Sequence, residues 1–280
     1  MKNYKTAIIL FAAFEAIAIT LWLTTGSLFY LLNFSYIGIC IGVGLALSKA
    51  GWKYAREFIQ FGVGAYMLVF LGLICRENMQ IEGFWYYLLS GVVGAGVLHY
   101  AIAKIFGPLL FGRGWCGYAC WTAMILDLLP FKQPQGPRKK IGFIRYIVFA
   151  LSLVLILLLF HFDKANKHTM FMLFLIGNLV YYVVGILLAV LFKDNRAFCK
   201  YICPITVFLK PMSYFSRIRI HCDESKCIKC DEEKCIHCGK CIEACPMDVE
   251  VNRNARNRKN ATECILCQKC KKACPVNALK

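Results

Sequence analysis

Six long apolar runs, at about 6–23, 28–48, 58–75, 84–106, 143–162 and 170–192, alternate with short polar stretches. Each is close to the roughly 20 residues that a helix needs to cross the hydrocarbon core of a bilayer. The pattern predicts an α-helical integral membrane protein with six transmembrane helices, followed from residue 221 by a segment in which cysteines and charges replace the apolar runs. It divides the chain into a first pair of helices (1–57), a four-helix membrane core (58–220) and a C-terminal module (221–280). Lys2 and Lys5 ahead of the first run could pass for a signal peptide, but Glu15 interrupts the run and no small-residue cleavage site follows, so an uncleaved helix is expected. Gly38, Gly42, Gly62, Gly64, Gly91, Gly94 and Gly96 stand where small residues let helices approach closely.

The loops carry an uneven charge. Lys2 and Lys5 precede the first run, Lys49, Lys53 and Arg56 separate the second from the third, and Arg113, Lys132, Arg138, Lys139, Lys140 and Arg145 separate the fourth from the fifth. The intervening loops are poor in basic residues. Basic loops stay on the cytoplasmic side, which predicts a multi-pass protein of the cytoplasmic (inner) membrane with both termini and the C-terminal module in the cytoplasm. In that reducing compartment the 17 cysteines read as metal ligands rather than disulfides. The net charge of +17 raises the question of nucleic acid, especially at Arg253, Arg256, Arg258 and Lys259. Much of the excess lies beside anionic lipid or close to cysteines whose metal clusters would be negative, so no nucleic-acid partner is expected. A solvated loop or a landing patch for an acidic redox protein fits better.

The module itself is specific. Cys235-Ile-His-Cys238-Gly-Lys-Cys241-Ile-Glu-Ala-Cys245-Pro246 recurs as Cys264-Ile-Leu-Cys267-Gln-Lys-Cys270-Lys-Lys-Ala-Cys274-Pro275. Three thiolates two residues apart wrap one cube, and the fourth, before proline, serves the other cube, as in bacterial two-cluster ferredoxins. The rule assigns Cys235, Cys238, Cys241 and Cys274 to one 4Fe–4S cluster, and Cys264, Cys267, Cys270 and Cys245 to the second, in a small α+β fold. A zinc knuckle does not need the paired Cys-x3-Cys-Pro ends. A module of this size has too little core to fold well without its metal.

A second repeat lies nearer the membrane. Arg113-Gly-Trp115-Cys116-Gly-Tyr118-Ala-Cys120 follows the fourth run, and Arg196-Ala-Phe198-Cys199-Lys-Tyr201-Ile-Cys203-Pro204 follows the sixth. Both copies leave the same side of the membrane, so the two pairs can face each other across a pseudo-twofold axis. If each Cys-x3-Cys is helical, its thiols share one face one turn apart. Three readings stand: a third iron–sulfur centre, redox-active thiols or a transient metal site, and packing of small buried cysteines. A further trio, Cys222, Cys227 and Cys230, has the spacing of the first three ligands of a plant-type 2Fe–2S site but no free fourth cysteine. It reads as an additional centre, as alternative ligation of the first cube, or as a spare loop.

Two ionisable residues fall within apolar runs. Glu15 is a candidate proton relay or quinone contact, against a protonated carboxyl bonded between helices. His99 is a candidate for a quinone carbonyl, against a bond to neighbouring backbone.

From about residue 84 to 280 the chain resembles the NapH/MauN-type membrane ferredoxins, whose iron–sulfur and Cys-x3-Cys-Pro features recur in NosR-type regulators and in cytochrome oxidase assembly ferredoxins. The resemblance implies electron transfer between membrane quinol and a redox partner, as a quinol dehydrogenase component, or reduction of a metal centre during assembly. Trp121 follows Cys120 where the family has proline, two N-terminal helices exceed the usual four, and no flavin-binding domain of the NosR kind is present. The leading expectation is a membrane-anchored iron–sulfur electron-transfer protein linked to the quinone pool and to a redox protein or other membrane subunits. The alternatives are a metal- or thiol-reducing maturation factor and a redox-sensing membrane regulator.

Overall fold

The computed structural model describes residues 4–131, 140–220, 239–251, 258–275 and 279. Among the described residues five helices are long and apolar enough to cross a membrane: α1 (Lys5–Thr25), α2 (Leu28–Ala50), α3 (Ala55–Ile74), α8 (Ile144–His161) and α9 (Lys167–Phe192). Between them lie α4 (Ile81–Leu89), the shorter apolar α5 (Ala95–Phe111), α6 (Gly114–Tyr118) and α7 (Trp121–Leu126). After α9 come α10 (Ala197–Tyr201) and α11 (Thr206–Tyr214), then, in the C-terminal module, α12 (Lys240–Glu243), α13 (Arg258–Ala261) and α14 (Lys269–Ala273). Leu23, Val93 and Leu191 stand 72%, 75% and 72% exposed, a degree of apolar exposure that only a lipid environment would tolerate over so much of the surface.

The expected continuous helix over 84–106 is not formed. The chain turns at Ser90–Gly94, where Gly91 takes φ of 67°, a conformation that suits glycine, and α4 and α5 fold back on each other as a hairpin. Gly91 therefore makes a turn rather than a helix contact. Gly38 does serve close approach, since a Cβ there would lie 2.9 Å from that of Phe14 on α1. Hydropathy averages over the turn and so hides it. The segment that leads into α4 is irregular yet buried: Asn78, Met79 and Gln80 are each 1% exposed. Asn78 closes it by donating to the Met170 carbonyl at 2.9 Å and accepting from the Gln80 amide at 2.9 Å. Non-helical backbone survives among membrane helices where protein covers it.

Aromatic side chains then lock the hairpin to the rest. Phe84 stacks on Tyr100 with centroids 4.7 Å apart, and Phe208 meets Phe84, Tyr100 and Phe149 edge-on. Trp85 donates to Ser152 on α8 at 3.1 Å, and Trp121 donates to Asn178 on α9 at 2.8 Å. These bonds satisfy indole N–H groups that would be costly unpaired in an apolar interior. The described residues of the C-terminal module form short helices and turns and no strand; the expected α+β fold extends over residues outside the described ones.

Candidate metal centre

The two Cys-x3-Cys elements have the same local build. A long helix ends (α5, α9), a residue with positive φ redirects the chain (Gly112 at 53°, Lys193 at 52°), an arginine follows within three residues, and a short helix carries the first cysteine. Cys116 lies in α6 and Cys199 in α10, whereas Cys120 and Cys203 fall just past those helices in extended or irregular backbone. Each element is thus helical only up to its middle, and the second thiol leaves the helical face expected for it.

The arginines cross over. Arg113 of the first copy donates to the carbonyl of Cys199 in the second at 3.4 Å, and Arg196 of the second donates to the carbonyl of Cys116 in the first at 3.0 Å. This reciprocity is what a pseudo-twofold relation requires. Arg196 also lies 3.9 Å from the Cys199 sulfur, and its guanidinium grips Asp127 with both oxygens, at 2.8 and 2.5 Å. Arg56 from α3 reaches the same carboxylate at 3.0 Å and the Gly117 carbonyl at 3.0 Å. Burial alone would raise the Asp127 carboxyl, but Arg196 and Arg56 outweigh it and hold it below the usual carboxylate range.

Cys116 and Cys199 share one apolar core with Cys203 packed against it, and Cys199 interacts electrostatically with Cys203, Cys120 and Cys116. Burial pushes the Cys199 thiol up to about 12 and Cys203 up to about 11, the neighbouring sulfurs adding to the rise. Bare thiolates would be costly here, and iron would offset that cost. Among the described residues no group of three or more His, Cys, Asp or Glu could hold a single metal ion. A 4Fe–4S cluster takes four cysteine thiolates, the donor set that these two elements supply. Lys104 supplies a further cation: 2% exposed, 5.0 Å from the Trp115 ring centroid, and interacting with Cys116, Cys120 and Cys203.

In the C-terminal module the structure brings Cys264, Cys267, Cys270 and Cys245 together, the crossed set expected from spacing. The Val249 amide donates to the Cys245 sulfur at 3.4 Å, and Leu266 and Gln268 take φ of 55° and 60°, coiling the backbone around the thiols. Cys241 interacts with Cys270, and Cys274 packs on the same core. Cys235 and Cys238 of the other set lie outside the described residues, as do Cys222, Cys227 and Cys230.

The two groups of cysteines share one apolar core, which contains Cys116, Cys199, Cys245 and Cys270 and is filled by Phe198, Met247 and Ile265. Charged residues pin it. Glu263, next to Cys264, pairs with Arg113, with Arg145 at 3.2 Å and with Lys210 at 3.4 Å. Lys200, fully buried, bridges Asp194 at 2.6 Å and Asp248 at 2.7 Å. Tyr118 donates to the Leu266 carbonyl at 3.0 Å, and Gly117 lies against the Ile265 carbonyl so closely that no side chain fits. Asp127, Glu263, Lys200 and Lys104 were not legible as site residues. For the two carboxylates the signals are scarcity, the chain having only 16 acidic residues, and the place of Glu263 beside a cysteine.

Glu15 accepts from Ser35 on α2 at 2.8 Å, the helix-to-helix bond of the plainer reading. His99 packs against Trp115 and Trp121, and its Nε2 makes no hydrogen bond within the protein. Asn33 Oδ1 and Trp115 Nε1 are likewise unpaired, and all three residues line one cavity of about 50 Å³.

Residues 233–279 match the 4Fe-4S dicluster domain, and residues 93–132 and 170–221 match a 4Fe-4S binding domain. The chain contains two 4Fe–4S ferredoxin-type domains. The second match takes in both Cys-x3-Cys elements. Among curated relatives, uncharacterized protein MJ0749 of Methanocaldococcus jannaschii is 25% identical over 169 residues, covering 57% of this chain and 63% of its own length. Uncharacterized protein MJ0750 of the same organism is 25% identical over 179 residues, covering 59% of this chain and 71% of its own. No solved structure matches.

Proposed function

We propose that this is a multi-pass protein of the inner membrane in which the shorter α5 makes a sixth crossing beside the five longer helices, so that both termini are cytoplasmic, and that it passes electrons between the two clusters of its C-terminal module and the quinone pool. A third 4Fe–4S cluster on Cys116, Cys120, Cys199 and Cys203 lies between them. The carrying observation is the crossing of Arg113 and Arg196 onto the carbonyls of each other's cysteine loops, which ties the two copies into one cage.

A cluster at this position would store single electrons at the membrane face. Arg196, held by Asp127, and Arg113, held by Glu263, fix the cysteine loops and offset the negative charge of a tetrathiolate. Lys104 adds a third cation on the membrane side. The tethers at Glu263, Asp248 and Leu266 keep the module seated, which fixes the separation that electrons cross. This reading accords with the NapH/MauN resemblance, where a redox protein takes or supplies the electrons on the cytoplasmic side.

The test is anaerobic iron and acid-labile sulfide analysis with EPR on the full-length protein and on Cys199→Ser. Wild type should hold the iron of three cubanes, at four each. The variant should lose one cubane's share and its quinol-driven reduction, while the module remains reducible by dithionite. Unchanged iron in all four single Cys→Ser variants, with altered reducible thiol, would replace the third cluster by a thiol switch.

A further inference from the structure

A cavity of about 260 Å³ opens where α1 and α2 meet the cysteine loops. Leu10, Phe14 and Leu45 form its wall on the helix side, and Trp115, Leu266 and Lys271 close it on the other. Its volume exceeds the roughly 150 Å³ of an apolar cavity that admits benzene, so a substituted six-membered ring fits. The lining is largely apolar, with Thr6, Tyr118, Arg219, Gln268 and Lys271 as the polar and cationic residues. A pocket of that make-up suits a flat apolar molecule with oxygen acceptors at one end.

Its place in the chain decides between occupants. Trp115 immediately precedes Cys116, Ala119 precedes Cys120, and Leu266 and Gln268 flank Cys267; all four residues line the cavity. Whatever binds here is one residue away from cysteines of both candidate centres. For a structural lipid that placement has no use; for an electron carrier it is the useful one. The extra helices α1 and α2, beyond the four of the resembling proteins, supply much of the wall. We infer that this cavity binds the ring of a membrane quinone, which rests on the quinone-linked reading above. In the quinol direction two O–H bonds break, two electrons pass to the protein's iron–sulfur groups one at a time, and two protons go to water at the Lys271 side.

The experiment is photolabelling of the anaerobically purified full-length protein with an azidoquinone, mapped by peptide mass spectrometry. Label should appear on α1 or α2 near Leu10 and Leu45. Excess unlabelled quinone should abolish it, and excess phosphatidylglycerol should leave it. Leu45→Trp, which fills the cavity, should cut labelling at least tenfold and raise the KM for quinol without changing iron content; Leu10→Trp, from the other wall, guards against a folding artefact. Labelling that survives both variants, or that phosphatidylglycerol removes, overturns the inference. If the label maps here but quinol does not reduce wild-type clusters, the site stands as a quinone site and the electron-transfer reading fails instead.

Discussion

The two Cys-x3-Cys elements have nearly the same sequence and opposite attachments. Arg196 of the second copy turns inward, to Asp127 seven residues beyond Cys120 of the first, so this bond is internal to the membrane portion. Arg113 of the first copy turns outward, to Glu263 beside Cys264 of the C-terminal module. Duplication supplies a symmetric cage, and the two carboxylates break the symmetry. Both arginines tie the two copies together; Arg196 adds the lock to Asp127, and Arg113 adds the hold on the module.

The largest effect should come from the inward lock. Asp127→Ala strands the buried Arg196 guanidinium and takes from the half-buried Arg56 one of its two carboxylate partners, Glu57 remaining; removing one member of a buried pair costs about 3–5 kcal/mol. A large fall in melting temperature should accompany loss of iron from the membrane-side centre. If that iron stays, the lock is not what closes the cage.

The outward tether should respond differently. Glu263→Gln keeps hydrogen-bonding capacity but removes the charge facing Arg113, Arg145 and Lys210. Membrane-side iron should be retained, while limited proteolysis should release the C-terminal module faster than in wild type. Equal damage to both centres would erase the distinction between the two arginines.

Acid should act on the lock through Asp127. Its carboxyl titrates below the ordinary value in the folded protein, so the stabilisation is complete above about pH 4, the unfolded value, and is lost as pH falls through the depressed one. The melting-temperature gap between wild type and Asp127→Asn should therefore close on acidification. A gap that widens toward low pH would contradict the ion-pair assignment.

The smallest change belongs away from the centre. Ser35→Ala removes one bond to Glu15 and should cost about 1 kcal/mol with quinol-driven rates unchanged. A large rate loss would return Glu15 to the proton-relay reading.

What was legible in the sequence was what depends on spacing. The tandem cysteine runs and the paired repeat around Cys116 and Cys199 stand in intervals along the chain, and the segments that carry them match the 4Fe-4S dicluster and 4Fe-4S binding domains. Asp127 and Glu263 were invisible because their partners are 69 and 150 residues distant, and nothing local marks a carboxylate that will meet a guanidinium only after folding. The hairpin at Ser90–Gly94 lies between these cases. Gly91 and Gly94 stand at that turn, but the mean apolarity of 84–106 favours one helix, and the turn shows only in the backbone conformation of Gly91.

The crossed arginines also set an order of assembly. The bond from Arg113 to the Cys199 carbonyl spans 86 residues, and that from Arg196 to the Cys116 carbonyl spans 80. Contacts of such separation close late, since the loop entropy is lost before the contact rewards it. During synthesis the first copy must wait, incomplete, while α8 and α9 are made, and its tie to Glu263 needs a residue made 150 positions later. Iron delivered before then would find half a cage. On the proposed third cluster, maturation is a post-insertion event, and a ribosome-stalled chain ending before Cys199 should take up no iron at Cys116 and Cys120.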